Sequence, residues 1–180
     1  MKAYKLFRTL RSRPGEIFPL YVNADKPTPI GEWIDAEEGT RLSDGKVKSR
    51  LGHLAFRPGW HLSDVPLATH IGVKDASGRI VAMNLQHRWY ECEYSDGVDY
   101  QDKAHASGIA NGRFNPRNAY IKEIPQGGFY RYKTNPMMFG DWIIAGSIKV
   151  IRPLSDEEVA EICEANGCRA MPRYVTNCGY

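Results

Sequence analysis

Three of the five histidines in this chain, His53, His61 and His70, stand in the stretch Gly52 to Gly72, GHLAFRPGWHLSDVPLATHIG, beside Trp60 and a Pro58-Gly59 turn. Imidazole ligates metals and exchanges protons near neutral pH, so chemistry is expected here first. The separations of eight and nine residues fit neither the i, i+4 spacing of a helical metal pair nor a zinc-loop spacing. A hairpin at Pro58-Gly59 would bring His61 opposite Phe56 and His53 near Asp64, but nothing forces three rings onto one ion. No metal is expected. His53 and His70 are read as locally hydrogen-bonded, and His61 as the edge of a polar cleft.

Other site chemistries find less material. There is no GxSxG elbow, no Ser or Cys set beside a histidine in a known pattern, and neither a Walker sequence nor GxGxxG. Cys92, Cys163, Cys168 and Cys178 form no CxxC pair. Zinc at the last three is a weaker reading than a buried Cys163 on a helix with two unpaired thiols after it. A third cluster alternates cations with aromatics: Arg113, Phe114, Arg117 and Tyr120, then Phe129, Tyr130, Arg131, Tyr132 and Lys133. Such a pattern supplies stacking and phosphate contacts where it is exposed.

The elements that must carry these residues are mostly strands. Lys2 to Leu10 alternates Tyr4, Leu6, Arg8 against Ala3, Lys5, Phe7, and Ile17 to Val22 is an edge run broken by Pro19. His87 to Tyr94 reads as an antiparallel strand with one wet face, Phe129 to Lys133 as another, and Trp142 to Ile151 as a long central strand. Ser155 with Glu158 forms a capping box, and Gly167 supplies the stop, which predicts a helix over 156–166. A shorter helix is expected from Ser63 or Asp64 to Gly72, after a capping side chain and Pro66. Gly39 to Arg50 and Gln101 to Asn118 read as long surface loops.

Composition bounds the rest. The 180 residues, 42% hydrophobic and 25% charged, suit one globular domain over 1–180, with a core over 1–154 and a capped helix and C-terminal tail over 155–180. The expected class is α+β, a mostly antiparallel sheet with a few short helices and long loops. With 24 basic against 21 acidic residues, the net charge of +3 does not by itself imply a nucleic-acid partner. No apolar run approaches the roughly 18 residues that cross a bilayer, and the N-terminus lacks the apolar core of a signal peptide. The chain therefore reads as cytoplasmic, with no membrane partner.

The succession KLFR, PLYVN with GEW, LAFRPGWHLSDVP, WYECEY and a late WIIAGSIKVIRPL covers most of Lys5 to Leu154. It resembles a family of small bacteriophage and prophage proteins that carry an RPGWH signature and have no established activity. That resemblance implies a mobile-element origin and little more; the basic and aromatic side chains support an accessory protein in the host cytoplasm, a binding module directed at a host defence factor or at nucleic acid through Arg113, Arg117 and Arg131. A fainter similarity is to ADP-ribosyltransferases, and it implies NAD as cofactor. Arg8 in KLFR stands where such enzymes hold the NAD phosphates, and Gly52 to Ala68 resembles the strand and wall of the nicotinamide pocket. Arg57, Trp60 and His61 then line the cofactor cleft, with His61 orienting a ribose hydroxyl, and Asp141 takes the place of a catalytic Glu. Two departures stand out: Thr9 where many such enzymes have Gly, and Asp141 shorter than Glu by one methylene, a shift of about 1 Å that can cost on the order of a hundredfold in rate.

Overall fold

The structure is a computed structural model and describes residues 1–110 and 119–174. The strands are β1 (Lys2–Leu10), β2 (Arg13–Phe18), β3 (Trp33–Asp35), β4 (Val47–Ser49), β5 (Gly52–Leu54), β6 (Trp60–Ser63) and β7 (Val73–Lys74). They continue as β8 (Ile80–Ala82), β9 (His87–Tyr94), β10 (Val98–Asp99), β11 (Gly128–Tyr132), β12 (Trp142–Ala145) and β13 (Ser147–Pro153). Two helices are described, α1 (Gln101–Ala110) and α2 (Asp156–Ala165). Nine strands form one sheet in the order β10-β11-β12-β6-β1-β9-β13-β3, with β2 paired to β1. Among the described strands of this sheet the β10–β11 pair alone is parallel, so the fold is α+β with a mostly antiparallel sheet.

Strands far apart in that order nevertheless touch. Tyr94 of β9 meets Phe129 of β11 edge to face at 5.3 Å, and the Trp60 indole of β6 donates to the Ile34 carbonyl of β3 at 3.1 Å. The sheet therefore curls on itself, and one face becomes an interior. Phe7, Leu62, Tyr90, Tyr94, Ile143 and Ile148 belong to that interior cluster. The opposite face carries two further clusters. Tyr4, Leu6 and Trp89 pack with Val159 and Cys163 of α2, and Tyr130, Tyr132 and Ile144 pack with Ala104 of α1.

The corner that closes the curl is Gly146. The sequence reads Trp142 to Ile151 as one strand, but the chain breaks there into β12, which pairs with β6 and β11, and β13, which pairs with β9 and β3. A Cβ at Gly146 would collide with the Pro125 carbonyl oxygen, so only glycine allows this approach. The Gly146 N–H donates to the Gly128 carbonyl at 3.0 Å, and its own carbonyl accepts from Ala36 N–H at 2.7 Å.

Two loop and helix expectations change. Val65 to His70 is a series of tight turns rather than a helix: Ser63 Oγ donates to the Val65 carbonyl at 2.6 Å, and Leu67 N–H bonds Val65 at 2.7 Å. Pro66 disfavours helical backbone at Val65. Conversely, the first part of the expected Gln101 to Asn118 loop is α1, whose helical period was hidden because only Ala104 and Gly108 are buried. The wet face expected of β9 is confined to Glu91 and Glu93, since Trp89 on the same face is covered in the cluster beneath α2.

At α2 the expected cap is present. Ser155 Oγ accepts from Glu158 N–H at 3.1 Å, and Glu158 Oε2 accepts from Ser155 N–H at 2.8 Å. Ser155→Ala removes one of these bonds and leaves a helix N–H unsatisfied. It should lower unfolding free energy by about 1 kcal/mol, measured by urea denaturation at pH 7.

Candidate functional site

The RPGWH segment sends its side chains to different places. The Arg57 guanidinium lies 3.7 Å over the Tyr132 ring and donates to the Ala119 carbonyl. Pro58 is buried, and a Cβ at Gly59 would strike Ile144. Trp60 points into the sheet interior, where it packs against the core and bonds Ile34. His61, the next residue, must point the other way, and its ring meets Tyr132 at 6.4 Å. Burial, with Lys5 and Arg57 adding repulsion, lowers the His61 pKa to about 3 and keeps it neutral. Trp60 and His61 therefore do not share a cleft.

The remaining histidines are separate too. His53 bonds Asp44 rather than Asp64, Nδ1 to Oδ2 at 3.0 Å, and His70 packs edge-on to Trp142 at 5.5 Å. Among the described residues no group of three His, Cys, Asp or Glu could hold a metal.

Arg8 and Asp141 lie at opposite ends of a shared row. Tyr4 of β1 pairs with Ser63 of β6, which pairs with Trp142 of β12. Two antiparallel steps leave β1 and β12 running the same way. Asp141 precedes the row by one residue and Arg8 follows it by four, which separates them by about 17 Å along the strands. Arg8 is spent locally, donating to the Ala24 carbonyl at 2.7 Å, with Asp25 at 4.0 Å. An NAD site requiring Arg8, Arg57, Trp60, His61 and Asp141 in one pocket does not fit this arrangement, and no step is derived through that cofactor.

What does converge is a cleft of about 550 Å³ lined by Asp99, Gln101, His105, Arg131, Lys133 and Asp141, with Phe129 and Tyr132 at its base. Its rigidity comes from Gln101 in the first turn of α1. The side-chain amide accepts from Arg131 N–H at 2.8 Å and donates to the Arg131 carbonyl at 2.9 Å, as a further strand residue would. It thus extends the two-residue β10 pairing and fixes α1 against β11. The same amide nitrogen lies 3.1 Å from His105 Nε2.

Charges alternate around the cleft. Arg131 lies 4.0 Å from Asp64, and Lys133 lies 3.8 Å from Asp141. The two carboxylate residues are tied by backbone: Asp64 Oδ1 accepts from Asp141 N–H at 3.0 Å, and Asp64 N–H donates to the Asp141 carbonyl at 3.3 Å. The four side chains are between a quarter and two-fifths exposed.

Most of the described aromatics of the expected stacking surface are withdrawn from solvent, while Tyr120 is half-buried. Phe129, Tyr130 and Tyr132 are all buried, because β11 is covered on the interior face and by α1 on the other. Arg113, Phe114 and Arg117 lie outside the described residues. Sequence reasoning missed Asp64, Asp99, Gln101 and His105. Nothing in composition signals that a glutamine amide will imitate a strand.

Lys5 is a further residue to which sequence reasoning assigns no role. It alternates with Ala3 and Phe7, and that face is the interior. Its Nζ donates to the His61 carbonyl at 2.8 Å and sits 5.3 Å over Trp60 and 5.4 Å over Phe7. Burial lowers its pKa to about 8.

Compared with protein families, curated proteins and solved structures, the chain matches none.

The Lys5 shift sets a pH dependence. The folded value lies below the ordinary 10.5, so stability associated with the neutral amine is present above pH 10.5 and is lost as pH falls toward 8. Lys5→Met should raise stability at pH 7 by on the order of 1 to 3 kcal/mol, because the buried charge is removed and its stem volume kept. Guanidinium titrations at pH 7, 8.5 and 10 should show the rise with pH only for the lysine chain.

Proposed function

We propose that the chain is a binding module whose cleft between β11, α1 and the start of β12 receives charged side chains of a partner protein. The observation that carries this reading is the pair of long ion contacts, Arg131 with Asp64 at 4.0 Å and Lys133 with Asp141 at 3.8 Å. Such half-exposed pairs are worth little by themselves. They exchange readily for groups on a partner, while the Asp64 and Asp141 backbone bonds and the Gln101 clasp keep the cleft's shape. A volume of about 550 Å³ accommodates two or three side chains and falls within the size of ordinary ligand clefts.

A protein partner is favoured over nucleic acid because Phe129, Tyr130 and Tyr132, three of the aromatics expected to stack on bases, are buried. The mobile-element origin, the host cytoplasm as its place and a host defence factor as its target rest on the RPGWH succession alone. No helix among the described residues is long and apolar enough to cross a membrane. One observation favours the transferase-like reading: β1, β6 and β12, the strands it requires, are neighbours. The separation of Arg8 from Asp141 weighs against it.

Two measurements separate these readings. Pull-down from host lysate, with each captured protein re-expressed pure and titrated, should identify a partner whose affinity falls at least tenfold with Arg131→Glu or Lys133→Glu. The same affinity should weaken as salt rises. Millimolar NAD should leave the melting temperature unchanged, whereas a rise in melting temperature would revive the transferase reading.

A further inference from the structure

We propose that Cys163 and Cys168 form an oxidisable thiol pair, a modification site at the C-terminal end of α2 that a peroxide closes into a disulfide. The helix ends in a Schellman motif, with Gly167 N–H donating to the Glu164 carbonyl and Cys168 N–H to the Cys163 carbonyl, both at 2.9 Å. Gly167 takes φ 77°, the left-handed conformation the motif needs. This geometry folds the residue after the glycine back over the last helical turn and places the two end side chains in contact. Here both are cysteines. The closure draws the two backbones together through the Cys168 N–H to Cys163 carbonyl bond, as a disulfide, which spans Cα separations of roughly 4.4–6.8 Å, requires. The Cys168 thiol reaches the Cys163 carbonyl oxygen at 3.3 Å.

The two thiols differ in access. Cys163 is fully buried, and its Sγ lies 3.8 Å from the Pro66 carbonyl. Burial, with the neighbouring Cys168 thiol adding to it, pushes the Cys163 pKa up to about 12. Cys168 is half-buried and lines a groove of about 940 Å³ that opens between α2, Leu67 and Met83. A small oxidant therefore meets Cys168 first.

The chemistry balances with hydrogen peroxide as oxidant. The Cys168 thiol gives up its proton and the sulfur attacks a peroxide oxygen. The O–O bond breaks, water leaves, and Cys168 becomes a sulfenic acid. Cys163 then loses its proton as its sulfur attacks that of Cys168. The S–S bond forms, the S–O bond breaks and a second water departs. Two thiols are oxidised by two electrons, and one peroxide is reduced to two waters.

The full chain, folded and with all its cysteines, is treated with hydrogen peroxide, alkylated in denaturant, digested and mapped by mass spectrometry. The expected product is a Cys163–Cys168 linked peptide that has lost two hydrogens and is restored by dithiothreitol. Cys163→Ser should stop the sequence at a Cys168 sulfenic acid captured by dimedone, and Cys168→Ser should leave Cys163 reduced. Where circular dichroism shows Cys163→Ser unfolded, Cys163→Ala serves in its place. Any result without the Cys163–Cys168 link in the unmutated chain overturns the proposal, whether both thiols stay reduced, Cys168 links to Cys178, or Cys168 passes to sulfinic acid alone.

Discussion

The close approach of Gly146 to the Pro125 carbonyl is the constraint on which the architecture rests. A flat sheet of this strand order would leave its inner face open along its whole width. By letting the chain turn between β12 and β13 without a side chain in the way, Gly146 joins the wing made of β10, β11, β12 and β6 to the wing made of β9, β13 and β3. The interior then forms from both wings at once, with Tyr94 against Phe129 and Trp60 reaching Ile34. The polar end of that interior follows from the same closure. Once the wings meet, Lys5 on the central strand β1 cannot reach water, and its ammonium is left with one carbonyl and two aromatic faces.

This closure also explains the most recognisable run in the sequence. RPGWH looks like a site because it concentrates a cation, an indole and an imidazole. In the fold it acts as a rivet between three packed surfaces: Arg57 clamps Tyr132, Gly59 lets Ile144 approach, Trp60 fills the interior and His61 fills the outer layer. A neutral, half-buried imidazole with a pKa near 3 is poorly suited to proton exchange at neutral pH. Unusual residues at unusual density here mark demanding packing, since the side chains of β6 pack to both faces and each meets a different neighbour.

Legibility followed range of interaction. The capping box at Ser155 and the stop at Gly167 are local, so α2 could be read within a residue of its ends. Alternation located β1, β9 and β11, because period two survives any tertiary setting. It does not say that β1 and β11 are covered on both faces, so it gives no sign that Lys5 is interior and reads Phe129, Tyr130 and Tyr132 as a stacking platform. The helix α1 escaped notice because its anchor is Gln101, whose amide pairs with Arg131 across 30 residues. Polar clasps of that kind have no periodicity to detect.

The cleft's location follows from the same physics. Beyond Tyr100, whose N–H still donates to the Phe129 carbonyl at 2.9 Å, backbone pairing to β11 gives way to the Gln101 amide, which takes over for one residue before α1 turns away. The sheet edge is thereby capped at Arg131 but not covered past it, so the charged ends of β11 and β12 and the loop after β6 are left facing a space that neither backbone nor apolar side chains fill. Carboxylates and cations can gather there without the desolvation that Lys5 carries in the interior. Across the two pairs, spacings near 4 Å show attraction without a committed hydrogen bond, while Lys133 Nζ donates to the Met138 carbonyl at 3.0 Å. Charges so placed present a fixed pattern while the ion pairs themselves add little stability, which supports the proposed binding role.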